Sequence, residues 1–202
     1  TVGANFMNRD DNPGREAVRT AVIEYVDQQG MKSLGLTGFQ NRYALAMRRD
    51  RAEELGIDSI EDLISIASTL SAVGDLEFFG RPEWIRLRDL YNIDFADKLT
   101  FDPSLMYTAV AENQVDVIAA YTTDGRVAAY DLLILEDPRN SLLPYDAMLI
   151  ASTRAAAQPQ FRQALAIIEN GISDELMREA NRMVDVDGRP IADAVEFLQG
   201  QL

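Results

Sequence analysis

Val115-Asp116-Val117-Ile118-Ala119-Ala120-Tyr121-Thr122-Thr123-Asp124-Gly125 is the stretch on which the fold turns. From Val115 to Tyr121 the run is apolar except for Asp116, and its length suits a buried strand. Thr123-Asp124-Gly125 is a turn signal that ends it. Working outward, Leu132–Leu135 and Ala147–Ala151 read as two more short apolar strands. Tyr43-Ala44-Leu45-Ala46-Met47 reads as a further buried strand, and Asp75–Phe79 as a short one. Helical patterns fill the gaps. Arg49–Leu55 stops at Gly56, and Ser59 with Asp62 opens the next segment as a capping-box-like start. Leu63, Ile66, Ala67 and Leu70 supply that segment's apolar face. Pro82 and Asp102-Pro103 begin two others, where the missing N–H of proline is tolerated. Strands alternating with helices indicate an α/β fold.

Towards the N-terminus, residues 1–13 are polar and turn-rich. Gly14 to about Gln29 is helical by its spacing of Ala17, Val18, Ala21, Val22, Tyr25 and Val26. Leu34–Phe39 reads as a loop. After Thr153 the chain is helical, as Gln158–Glu169, Asp174–Val184 and Ile191–Gln199, separated by Gly171 and Asp187-Gly188. This tail has no strands of its own, so it must pack either on the α/β lobe or on another part.

Composition narrows the function. The 202 residues carry 33 acidic and 19 basic side chains, a net charge of −14, which disfavours nucleic acid and anionic lipid as partners. The plain reading of that charge is a solvated acidic surface; it would also attract cationic ligands mildly. There is no cysteine and no histidine. Thiol nucleophiles, zinc–thiolate sites and histidine-based catalytic triads are thereby excluded. Carboxylate chemistry, with or without magnesium, stays open, but no spaced ligand motif supports it. No phosphate-binding glycine loop is present, and no cofactor is expected. No run approaches the length of a membrane span. Arg48-Arg49-Asp50-Arg51, a basic cluster broken by an acid, reads as a solvated junction.

The aromatic residues say more. Tyr43 starts a strand, Tyr121 ends one, and Tyr145 follows Pro144 just before another. Tyrosines at strand ends line the open edge of many α/β sheets, where ligands bind. Each also fits an ordinary half-buried packing position. If several converge, their π faces can box a cation.

Six motifs resemble the osmoprotectant-binding proteins of ABC transporters, which take glycine betaine, carnitine or choline. Asn41-Arg42-Tyr43-Ala44-Leu45 is similar to that family's N-x-Y-A-L, and Glu77-Phe78-Phe79-Gly80-Arg81 to its E-F-x-x-R. Asp116 to Gly125 resembles D-V-x-x-A-Y-S/T-T-D-G. Tyr130 to Asp137 resembles Y-x-L-x-x-L-x-D, and Pro144-Tyr145-Asp146-Ala147 the family's P-P-Y-x-A. Met183 to Gly188, with Ala194 and Phe197-Leu198, also fits. The likeness spans roughly residues 34–200.

The resemblance implies a periplasmic-binding-protein-like fold, with one complete lobe built on a central mixed sheet plus helices of a partial second lobe. Residues 1–40 would be a first-lobe remnant and hinge, 41–150 the second, ligand-binding lobe, and 151–202 helices returning to the first lobe. It implies a non-enzymatic solute-binding component that captures a quaternary ammonium ligand and delivers it to an ABC permease subunit. The location would be the periplasm or the outer face of the cell membrane, with membrane attachment only through the permease or a lipid anchor outside this chain. Tyr43, Tyr121 and Tyr145 match three cage tyrosines, Arg81 a carboxylate-binding arginine, and Asn41 a polar position at the cage mouth. Thr122 and Asp124 fall within the same motifs. An N-terminal truncation is expected, which would remove a fourth tyrosine of a Y-T-G motif and leave little ligand binding to the isolated chain.

Two departures stand out. The family's arginine is usually followed by x-Asp-Gly, whereas this chain has Pro82-Glu83-Trp84. Trp84 would serve either as an extra cage wall or in packing. Arg42 also occupies a place where small polar residues are common. A degenerate or regulatory sensor domain with another small ligand is therefore the alternative reading.

Overall fold

The computed structural model describes residues 14–202 together with Met7. The helix α1 (Arg15–Gln28) leads into β1 (Met31–Gln40) and β2 (Tyr43–Arg48). Then come α2 (Arg49–Leu55), α3 (Ile60–Leu63), β3 (Ser71–Gly74), α4 (Pro82–Tyr91), β4 (Asp97–Thr100), α5 (Pro103–Ala111) and β5 (Val117–Tyr121). The chain continues through α6 (Gly125–Ala129), β6 (Leu132–Ile134), β7 (Asp146–Ser152), α7 (Thr153–Ala156), α8 (Pro159–Ala166), α9 (Asp174–Asp185) and α10 (Ile191–Gln199).

Five strands form a mixed sheet in the order β4-β3-β5-β2-β6. The pairings β3–β4 and β3–β5 are parallel, while β2 runs antiparallel to both β5 and β6. The apolar runs are continuous because this sheet is covered on both faces. Side chains alternate along a strand. Tyr43, Leu45 and Met47 of β2, with Val117 and Ala119 of β5, face one core that includes Leu63, Phe78, Trp84 and Leu87. Ala46, Ile118 and Ala120 face the other, with Met106, Tyr107 and Val110 of α5. Tyr121 packs at the margin of the first core, on the same side as Tyr43. The edge strand β4 is short and exposed along its length, with Asp97 and Lys98 facing water, which discourages pairing with another chain.

A separate two-stranded antiparallel ribbon joins β1 to β7. Leu34–Phe39 thus lies in a strand, contrary to the loop expected from its glycines. Gly35 and Gly38 have φ near +117° and +115°, and the register shifts between Ser33 and Gly35 and again between Leu36 and Gln40. These are bulges, where a glycine conformation re-aims a strand without ending its pairing. Gly38 is also sterically required: a Cβ there would lie 2.6 Å from the carbonyl oxygen of Ile172.

A second correction concerns Asp75–Phe79. The strand lies earlier, at Ser71–Gly74. The Asp75 carboxylate accepts hydrogen bonds from the N–H groups of Glu77 and Phe78, both at 2.9 Å, and turns the chain out of the sheet. Such Asx turns compete directly with extended backbone. The segment opened by Ser59 and Asp62 does carry its capping box, but the helix ends at Leu63 and a 3-10 turn at Ala67–Thr69 follows.

The helical tail packs on this chain itself. α9 lies against α6 so closely that a Cβ on Gly125 would come within 2.4 Å of the Arg182 nitrogen. Arg178 Nε donates to the Thr122 carbonyl at 3.0 Å, and Asn181 Nδ2 to the Thr123 carbonyl at 2.7 Å. The loop after β5 is therefore fastened to α9 at two consecutive carbonyls. The basic junction is paired as expected of a solvated surface: Arg48 with Asp50, Arg51 with Glu54, and Arg49 with Asp131. Among the described residues, no helix is long and apolar enough to cross a membrane.

Candidate ligand-binding site

The antiparallel register places Tyr43 directly opposite Tyr121. Their rings lie 4.9 Å apart at 33°. Both hydroxyls donate to the same atom, Asp75 Oδ2, at 2.5 Å from Tyr43 and 2.6 Å from Tyr121. The Asp75 carboxylate thus accepts two phenols through one oxygen and two backbone N–H groups through the other. It is only 7% exposed. Burial works to raise its pKa, but the hydrogen bonds from Tyr121, Tyr43 and the two amides outweigh burial and hold the carboxyl below its ordinary value. The same pairing, with burial the larger cause, pushes the Tyr121 hydroxyl up to about 12 and raises Tyr43 further still.

Arg81 adjoins this pair, with its guanidinium carbon 5.6 Å from the centre of the Tyr43 ring. All three of its nitrogens are engaged. Nε and Nη2 reach the two oxygens of Glu83 at 3.2 Å each, and Nη1 reaches Glu77 at 3.0 Å. The Glu83 side chain is 2% exposed. Tyr145 closes the arrangement by donating its hydroxyl to Glu83 Oε1 at 3.0 Å. Burial first, and then Glu83, raises the Tyr145 hydroxyl above its usual value.

Of the residues singled out from sequence, Tyr43, Tyr121, Arg81 and Tyr145 therefore form one connected cluster. Tyr43 is the most enclosed, 9% exposed between Phe78, Tyr121 and Arg81. Asn41 is exposed and joins through its backbone N–H, which donates to the Tyr145 carbonyl at 3.2 Å. Thr122 and Asp124 hold backbone. The buried Thr122 hydroxyl donates to the Gln40 carbonyl at 2.8 Å and accepts from the Arg42 N–H at 3.1 Å. Asp124 caps α6 through the Arg126 N–H and pairs with the Arg126 guanidinium. Trp84 is buried in the core, stacked on Phe95 at 5.8 Å and edge-on to Phe79 at 5.2 Å.

Two members escaped the sequence reading, Asp75 and Glu83. Glu83 lay within the departure already noted after Arg81. Asp75 carried no spacing signal, because its partners lie 32 and 46 residues away. A neighbouring cavity of 570 Å³ is walled by Arg15, Arg42, Arg86 and Arg139, among others, and contains none of the cluster's side chains.

A mixed α/β sheet flanked by a two-stranded ribbon, with a polar aromatic cluster at the strand ends, defines a periplasmic-binding-protein-like fold. The fold agrees with a crystal structure of a glycine betaine/carnitine/choline ABC transporter, with TM-score 0.91 and 24% identity over 99% of this chain and 75% of that one. Residues 15–199 match the model of the substrate-binding domain of ABC-type glycine betaine transport systems, and the chain belongs to that family. Among relatives, it is 30% identical to the carnitine transport binding protein OpuCC of Listeria monocytogenes over 95% of this chain. It is 33% identical to the glycine-betaine-binding protein of Pseudomonas aeruginosa over 96% of this chain. The chain spans 62% of the length of the first relative and 67% of the second. These are transport proteins and not enzymes.

Proposed function

We propose that this chain is the ligand-capturing part of an ABC importer for a quaternary ammonium osmoprotectant such as glycine betaine, choline or carnitine. The observation that carries the reading is the Tyr43–Tyr121 pair fixed on one buried carboxylate, with Tyr145 tied into the same network. A quaternary ammonium ion cannot be neutralised and donates no strong hydrogen bond. It is recognised by π faces and by negative charge, at about 0.5–2 kcal/mol per aromatic contact.

In this reading residues 41–150 form the ligand-binding lobe. Residues 1–40 and 151–202 belong with the first lobe, and the β1–β7 ribbon is the hinge about which closure occurs. The loaded protein delivers its ligand to a permease subunit at the periplasmic or outer face of the membrane. Asn41 stands at the cage mouth, while Thr122 and Asp124 position the loop that carries Tyr121.

Titration of the chain with choline, glycine betaine and carnitine, followed by shifts in the tyrosine ring NMR signals, tests this. Three aromatic walls suit binding near the millimolar level, about 4 kcal/mol. Tyr121→Ala is expected to abolish the response. A chain that ignores all three ligands does not have this function.

The alternative reading, a regulatory sensor of the same fold with another small ligand, draws support from the engagement of Arg81 by Glu83 and Glu77. A thermal-shift response to amino acids or anions, without one to quaternary ammonium compounds, would favour it.

A further inference from the structure

We infer that the cluster selects a ligand that is a net cation without a carboxylate of its own, and that Glu83 enforces the choice by occupying Arg81. The inference rests on the reading of the cluster as a ligand site and sharpens it.

An arginine recognises a carboxylate by presenting two parallel N–H groups as a fork. Arg81 has no such edge left. Its Nε–Nη2 edge faces Glu83, its Nη1 faces Glu77, and its flat face lies towards Tyr43. Because the Glu83 side chain is only 2% exposed, its pairing with Arg81 is poorly screened by water or salt. Tyr145 donates to the same carboxylate and holds it in place. A ligand carboxylate would have to displace a resident, buried one.

The charge of the cluster points the same way. Glu77 and Glu83 pair with the one guanidinium of Arg81, and Asp75 adds a third carboxylate at the Tyr43 hydroxyl, so negative charge is in excess. Both phenols donate to Asp75, which polarises their rings towards greater negative character. An incoming trimethylammonium group is attracted by every one of these features. A zwitterion brings a second, repelled end into the same partly desolvated space, and repulsion of that kind is an effective means of discrimination. The arginines of the adjoining cavity line a separate space that contains none of the cluster's side chains.

Choline and glycine betaine share the trimethylammonium group and differ at the other end, a hydroxyl against a carboxylate. Titrating both into the wild-type chain, Glu83→Gln and Glu77→Gln by NMR at millimolar ligand tests the inference. Choline should bind about tenfold or more tightly than betaine to the wild type. Glu83→Gln keeps the hydrogen bond from Tyr145 but removes the competing charge, and should raise betaine affinity by about tenfold. Glu77 is 73% exposed, so Glu77→Gln leaves the fold intact and should shift the ratio the same way by less. That second variant decides the matter if Glu83→Gln does not fold. Betaine binding equal to or tighter than choline in the wild type overturns the inference. So does an unchanged ratio in the variants. Binding of neither ligand overturns the ligand-site reading itself.

Discussion

Tyr43 and Tyr121, 78 residues apart in sequence, are cross-strand neighbours whose hydroxyls converge on one oxygen of Asp75. The pair is therefore held at two levels, by backbone register and by a shared acceptor. Removing the acceptor should cost more than removing either donor. Asp75→Ala leaves two phenols and two amides unpaired and is expected to destabilise the chain by about 3 kcal/mol or more. Tyr43→Phe should cost about 1–3 kcal/mol. Urea unfolding of the three proteins checks the order.

The depressed Asp75 pKa makes a pH prediction. A carboxyl with a folded pKa below its unfolded value of about 3.9 stabilises the fold above that value. This contribution is lost as pH falls through the folded pKa. Below about pH 4 the wild type should therefore lose stability relative to Asp75→Asn, which has no such proton to take up. Thermal melts between neutral pH and pH 3 would show the two curves converging; parallel curves would contradict it.

Tyr121 titrates in the opposite sense. Its folded pKa of about 12 exceeds the unfolded value near 10, so the neutral phenol is favoured in the fold. The associated stability is complete below about pH 10 and disappears as pH rises through about 12. Ultraviolet difference titration should show Tyr121 contributing a late component of tyrosinate absorbance. Asp75→Asn should lower the late component.

The Thr122 hydroxyl connects Gln40 to Arg42 across the junction between ribbon and sheet. At 2% exposure, Thr122→Val leaves a carbonyl and an N–H without that partner, at a cost of about 1–3 kcal/mol. Hydrogen exchange at the Arg42 amide should accelerate in the variant while exchange at Ile118 stays slow.

Gly38→Ala meets both a positive φ and a carbonyl oxygen 2.6 Å from the new Cβ. Neither can be relieved by a side-chain rotation. We expect a loss of about 2 kcal/mol or more, measured by denaturant unfolding, with the change concentrated in β1 and the Asn170–Ile172 turn.

The sheet was legible in sequence wherever both faces of a strand are buried. Tyr43–Met47 and Val117–Tyr121 have unbroken apolar runs for that reason. β1 was not legible, because a bulged ribbon uses glycines that otherwise signal loops. β4 was missed because it is exposed along its length and carries no apolar pattern. Asp75 shows a further limit. An aspartate that turns the chain locally looks the same in sequence as one that gathers two distant tyrosines, and here it does both. Tyr43, Tyr121 and Tyr145 could be singled out from their motifs, whereas the engagement of Arg81 by Glu83 depended on where α4 points its first turn.

Gln40 ends β1, Tyr43 begins β2, and the Thr122 hydroxyl and the Gln40 side chain fasten this short passage to the residues around Tyr121 and Tyr145. On the proposed hinge reading, the aromatic cluster is mounted at a fulcrum. Points near a fulcrum travel least while distant ones travel furthest. On that reading a ligand a few ångströms across, gripping there, would work through a long lever arm: a small displacement between its walls would correspond to a large sweep at the far ends of the molecule.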